Sequence, residues 1–188
     1  MRTARGDRGA PDLASGGAGP PITAIYSSDL QRALQTAEIA AESIGVPVTS
    51  DAALRERHLG VLEGLTREEA ATRQAAAWRA LRCDGPKARI PGGGESVADL
   101  SARIVAGIEA IAARHPGERV AVFTHGGVVA ACYNHATGHS FPGKLVNCAI
   151  NIVRIDGINW TVVEWGSTEH LQETGFQLEA FGGSKTSG

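Results

Sequence analysis

The stretch from Arg119 to Gly127, RVAVFTHGG, constrains the fold more than any other part of the chain. A continuous apolar run, rich in β-branched side chains, reads as a strand buried on both faces. Two glycines follow His125 at once, and an apolar helical pattern, GGVVAACYNHATG, continues to Gly138. A strand covered on both faces needs helices on both sides of its sheet. That requirement points to an α/β protein, a three-layer α/β/α sandwich with a mainly parallel sheet.

The rest of the chain supplies the partners. Ile22 to Ser28 (ITAIYSS) reads as a short strand that enters a helix on which Leu30, Leu34, Ala37, Ala41 and Ile44 recur at helical spacing. Ser28 and Gln31 have the spacing of a capping box at its start, and Gly45 supplies its stop. Val46 to Ser50 reads as a second strand. Thr66 and Glu69 form another capping-box pattern and predict a helix through Arg82, followed by a loop, CDGPKARIPGGG. Ser96 and Asp99 open the strongest helix, with Val97, Leu100, Ile104, Ile108 and Ile111 as its apolar face, and HPGE ends it. Asp156 and Gly157 between two β-rich runs give a hairpin signal. The hairpin is expected to add an antiparallel element at one side of the sheet. The tail from Gly166 is polar and glycine-rich, anchored only by Leu171, Phe176, Leu178 and Phe181.

Residues 1–21 differ in kind. They are rich in Gly, Ala, Arg, Asp and Pro, and Leu13 is their one large aliphatic side chain. Such a segment buries little, so it is expected to be disordered or a remnant, with one domain over residues 22–188. Asp7 and Asp12 interrupt what would otherwise be an Arg-rich transit pattern.

Bulk properties exclude several roles. With a net charge of −2 and no basic run, the chain lacks the footprint of a nucleic-acid binder. No apolar run approaches a membrane span of about 20 residues. The three cysteines are odd in number and show no CxxC, against a disulfide framework or zinc site. A reducing, cytoplasmic setting is the expectation.

Three places carry chemistry. His125 sits at the carboxyl end of the buried strand, where ligands bind in open α/β sheets, and Gly126 lets backbone N–H groups at a helix N-terminus approach an anion. Arg32 lies near the start of a helix that follows a strand directly, placed to grip phosphate oxygens. The loop LRERHLGVLEGLT holds Glu56, a carboxyl group suited to general acid and base work if burial shields it, with Glu63 as the rival. Taken singly, each also fits a structural histidine, a solvated arginine and an ordinary loop glutamate.

Together, YSSDLQRALQTAE, LRERHLGVLEGL, PGGGES and VFTHGGVV, in this order, resemble the histidine phosphatase superfamily. More narrowly they are similar to the cofactor-dependent phosphoglycerate mutase family, from Ile22 to Gly188. The tail WGSTEHLQETGFQLEAFGGSKTSG resembles the plant branch, whose members are described as phosphoglycerate mutase-like proteins and as metal-independent phosphoserine phosphatases. The resemblance implies a phosphoglycerate mutase-like fold. It makes Arg32 the second phosphate-pocket arginine, Glu56 the proton donor to the leaving oxygen, and His125 the second pocket histidine, with Gly126 beside it. Arg57 and His58 would touch substrate. No cofactor or metal is implied, and the partner is a small phosphorylated metabolite.

The match breaks at one point. The family's defining RHG, whose histidine attacks phosphorus and whose arginine lines the pocket, occurs nowhere in this chain, and residues 1–21 contain no histidine. Ala10 to Gly19 reads as a worn or truncated remnant of the stretch that comes after that motif. The strand carrying RHG normally lies beside RVAVFTH, so the first central strand is expected to be missing and an edge open to aggregation or homodimer formation. His58, His115, His135, His139 and His170 all stand in other contexts. The implied function is a phosphomonoester hydrolase, phosphoserine phosphatase-like, or a mutase-like enzyme, impaired without its nucleophile. The alternatives are a catalytically inactive phosphoester-binding protein, an incomplete gene product and a non-functional fragment. Hydrolysis is favoured over mutase action because only about 35 residues separate Glu56 from PGGGES, with Lys87 and Arg89 as sparse basic cover.

Overall fold

Strand β1 (Ile22–Ser27) carries a parallel neighbour on each edge. The computed structural model describes residues 20–174; Phe176, Leu178, Phe181 and the remnant reading of residues 1–19 lie outside them. In chain order the elements are β1, α1 (Gln31–Ile44), β2 (Val48–Ser50), α2 (Arg67–Arg73), α3 (Ala75–Arg82), α4 (Val97–Arg114), β3 (Arg119–Phe123), α5 (Gly126–Thr137), β4 (Ile150–Asp156) and β5 (Asn159–Ser167). The main sheet has the order β2-β1-β3, all parallel, with Ile25 opposite Val48 on one side and Ala121 on the other.

Alternation along the strands sets the layers. Tyr26, with Ala24, Val120 and Val122, packs against Ile108 and Ile111 of α4 and Leu54. Ile25, the residue before Tyr26 on β1, is 1% exposed and points to the other face. Helix α1 lies along β1, β2 and β3 and buries Ala33 and Ala37, small side chains that let the helix approach closely. Leu100, Ile104 and Val128 join α4 to α5. Burying a side chain of this size stabilises by about 1.5–3 kcal/mol, so these contacts fix which way α5 starts from the end of β3. At the other end of β3, Tyr26 Oη lies 3.0 Å from His115 Nε2, and His115 Nδ1 lies 3.0 Å from Glu118 Oε2. That chain ties β1 to the turn between α4 and β3.

Where the cap signals are local they are met. Thr66 and Ser96 each form a complete capping box with Glu69 and Asp99. Gly45 and Gly138 close their helices in the left-handed conformation. Other expectations are corrected. The helix expected from Thr66 to Arg82 breaks at Gln74, where φ is −133° and ψ 46°; hydrogen bonds from Gln74 N–H to Ala70 O and from Trp78 N–H to Gln74 O run across it, and no glycine or proline marks it. Ser28 does not cap α1: the N-cap is Leu30, with no side-chain cap bond. Val97 is 40% exposed at the first turn of α4 rather than in its apolar face. The hairpin pairs Asp156 with Asn159, so its turn is Gly157-Ile158, and β4 and β5 form a separate two-stranded sheet rather than an edge of the main one.

Strand β3 also departs from expectation. Its residues Val120 to Phe123 are half-buried, not buried on both faces. The reason is topological: β3 pairs with β1 only, and among the described residues no strand takes its other edge. β3 itself holds no proline or lysine, and its one charged residue is Arg119 at its start. Among the described residues no helix is long and apolar enough to cross a membrane.

An edge of β3 that no described strand pairs predicts concentration-dependent self-association in sedimentation velocity, with mass rising from monomer towards dimer. A single monomeric species at every concentration would count against an available edge.

Candidate active site

The chain leaves β3 at Phe123 and turns at once into α5. Thr124 Oγ1 donates to Leu54 O at 2.8 Å, which pins the strand's exit to the turn that leads to Glu56. His125 is the N-cap of α5, in extended conformation, and is 3% exposed. Its Nε2 lies 2.8 Å from Ser28 Oγ, a contact across 97 residues of chain. Ser28 is itself fully buried and continues the β1–β3 pairing through its N–H to Phe123 O at 2.9 Å.

Glu56 arrives from the opposite side. Its Oε2 accepts the Gly127 N–H at 3.0 Å and its Oε1 accepts the Arg57 N–H at 2.8 Å. Gly127 makes this approach possible: a Cβ there would stand 2.2 Å from Glu56 Oε1. Any larger residue at 127 would therefore push the carboxylate from the helix end. The helix N-terminus expected to be open for an anion is thus partly occupied by the protein's own carboxylate, an arrangement the positive end of α5 favours.

Arg32 lies in the first turn of α1, and its charge acts on His125. Burial above all, then the charges of Arg32 and Arg103, pull the His125 imidazolium down to a pKa of about 4, with Asp29 opposing weakly. At neutral pH the ring is uncharged and offers one N–H. Glu56 and His125 therefore meet at the carboxyl end of β3, and the charge of Arg32 reaches the His125 ring. Gly126, beside His125, is buried in the first turn of α5.

Arg57 is half-buried. Its Nε donates to Glu95 O at 2.9 Å, and desolvation draws its pKa below the usual arginine range. His58 is exposed and accepts the Gly60 N–H on Nδ1 at 3.2 Å, which leaves Nε2 as its outward donor. Gly60 has φ +57°, and a Cβ on it would stand 2.1 Å from Pro91 O. The two loops that carry ERHLG and PGGGES touch through this glycine. The rival carboxylate Glu63 accepts the Leu59 N–H at 2.6 Å and so closes its own loop.

Sequence reasoning missed the support around these groups. Arg103 on α4 makes a two-point ion pair with Glu95, Nε to Oε1 at 2.8 Å and Nη2 to Oε2 at 2.7 Å. The same guanidinium donates to Ala53 O and Arg55 O at 2.8 and 3.0 Å, the backbone just before Glu56. Glu95 Oε2 also accepts the His58 N–H at 3.0 Å. At the rim, Arg55 clasps both oxygens of Asp29 at 2.6 and 2.5 Å, holding that carboxyl below its usual range. Glu95 stands inside PGGGES, but nothing local marks Arg103 as its partner.

The other histidines lie elsewhere. His115 is at the far end of β3, bonded to Tyr26 and Glu118. His135 packs edge-on against Trp160 at 4.8 Å between ring centroids. His139 follows α5, and His170 lies after β5. The assembled groups suit an oxyanion: a guanidinium, a neutral imidazole N–H, a helix N-terminus and one carboxyl to move a proton.

Comparison with known proteins identifies the family. Residues 3–168 match the histidine phosphatase superfamily, branch 1. The chain is 42% identical to phosphoglycerate mutase-like protein 4 of Arabidopsis thaliana over 170 residues, 89% of this chain and 74% of that protein. It is 40% identical to a metal-independent phosphoserine phosphatase of the same organism over 161 residues, 85% of this chain and 68% of the relative. Among solved structures, Bacillus stearothermophilus YhfR superposes with a TM-score of 0.73 at 30% identity, covering 80% of this chain and 77% of that one. A mycobacterial glucosyl-3-phosphoglycerate phosphatase gives 0.65 at 28%, covering 79% and 78%.

The depressed His125 pKa has a stability consequence. The folded value lies below the unfolded 6.5, so its contribution is complete above pH 6.5 and is lost as pH falls towards 4. The loss is on the order of 3 kcal/mol. Urea denaturation across that window should show a steeper fall for the natural chain than for His125→Gln; parallel curves would contradict the assignment.

Proposed function

The chain belongs to the histidine phosphatase superfamily, branch 1, and from that membership we propose that Arg32, Glu56 and His125 hold and act on the phosphoryl group of a small phosphomonoester. The observation that carries this reading is the tie between Glu56 and Gly127 N–H, two residues beyond His125. It puts a proton-carrying group and an anion-binding helix end within one turn of each other. Arg32 and the His125 N–H take the phosphoryl oxygens. As a water attacks phosphorus and the P–O bond to the leaving oxygen breaks, Glu56, released from Gly127 and carrying a proton, gives it to that oxygen, and the carboxylate left behind takes the water's proton. Arg57 and His58 face the rest of the substrate.

Covalent phosphoryl transfer also needs a nucleophile and an activated position for it. The chain has no RHG, and His115 and His135 are engaged away from Glu56. In this reading the chain as it stands captures phosphomonoesters and turns them over poorly. Losing even one electrostatic donor typically costs 10²–10³ in rate, about 3–4 kcal/mol, and the absent groups act together rather than additively.

For the substrate we favour a phosphorylated amino or hydroxy acid, phosphoserine first, and hydrolysis over mutase chemistry. A relative's name, metal-independent phosphoserine phosphatase, supports the class. Arg89, one of the two basic residues available for a second phosphate, is taken up by Asp99 through two bonds of 2.8 Å. That leaves little cationic cover for a ligand with two phosphates.

Calorimetry should show binding of phosphoserine by the natural chain, weakened at least about tenfold in Arg32→Ala by loss of a charge-assisted contact, with phosphate release near background. No heat at millimolar ligand would overturn the pocket. Turnover at the level of an intact phosphatase would overturn the account of the nucleophile.

A further inference from the structure

Ser28 has the spacing of a helix cap but serves a different partner. Its Oγ accepts the Leu30 N–H at 3.2 Å, which fixes the rotamer, and meets His125 Nε2 at 2.8 Å. Ser28 is 0% exposed and His125 3%, so neither end of this contact exchanges freely with water.

Two hydrogen arrangements are open to the pair. If Nε2 carried the proton, Ser28 Oγ would accept twice and its own hydrogen would be stranded in the interior, since no other acceptor for it is found among the described residues. A buried donor without an acceptor is costly. If instead the Ser28 hydroxyl donates to Nε2, both atoms of the contact are satisfied and the ring proton sits on Nδ1. Among the described residues no group bonds Nδ1, and it is not one of the buried unpartnered atoms. It is the nitrogen left for a ligand.

We propose that Ser28 is a positioning residue that locks the His125 ring in its Nδ1–H tautomer and aims that N–H at the bound oxyanion. The anion rests on the phosphate-pocket reading above; the tautomer does not. A nitrogen that merely filled space would be indifferent to the proton's place. A neutral donor needs one fixed choice, because the other tautomer would turn a lone pair towards a negative charge.

The test is nitrogen-15 NMR of the His125 ring in the full chain at neutral pH, with calorimetry using inorganic phosphate. The natural chain is expected to show a protonated Nδ1 and an unprotonated Nε2. Ser28→Ala is expected to shift the population towards Nε2–H and to weaken phosphate binding about tenfold, the worth of one hydrogen bond to a charged group. Ser28→Thr, which keeps the hydroxyl, should restore both. A protonated Nε2 in the natural chain would overturn the proposal without any variant, as would Ser28→Ala with unchanged tautomer and affinity. An Nδ1–H ring in a chain that binds no phosphate would support Ser28's role and sink the pocket reading alone.

Discussion

The functional end of this protein depends on one carboxylate held against the first turn of one helix. Glu56 accepts backbone N–H groups on both oxygens, one from its own loop and one from Gly127. The contact joins the segment after β2 to the segment after β3, two pieces of chain 71 residues apart. It exists only because residue 127 has no side chain and because α5 begins where β3 stops. Around it, Arg103 fixes the carbonyls before Glu56 and Glu95 fixes the amide of His58. A polar network satisfied in this way holds its geometry well. A lone partner of either would not.

The same packing explains the state of His125. Its burial and its two arginine neighbours keep it uncharged, so positive charge in the pocket comes from guanidinium groups that cannot lose it. In the proposed reading that division makes Glu56 the group that moves protons and His125 a fixed donor. His115, bonded to Tyr26 and Glu118, and His135, packed on Trp160, are held away from Glu56.

Most of the fold was legible wherever the signal was local. Thr66 with Glu69 and Ser96 with Asp99 declared their helices, and Gly45 and Gly138 ended theirs, because caps are settled within four residues. The Ser28 pattern misled for the opposite reason: its partner is His125, which no window along the chain contains. The break at Gln74 has no local cause to read. RVAVFTH reads as doubly buried because its composition suits a strand with two neighbours, while the described sheet gives it one. At the site, Arg32, Glu56 and His125 were found by motif resemblance and by the rule that ligands sit at strand carboxyl ends. Arg103 was not, because an arginine on a helix face looks solvated until its carboxylate partner is brought to it.

The central claim is that these three side chains form one oxyanion site. A crystal structure of the chain soaked in vanadate tests it most directly. The account predicts the oxyanion between the Arg32 guanidinium and the His125 ring, with Glu56 moved off Gly127 N–H and facing it. Vanadate bound elsewhere, with Arg32 and His125 turned away from each other, would contradict it.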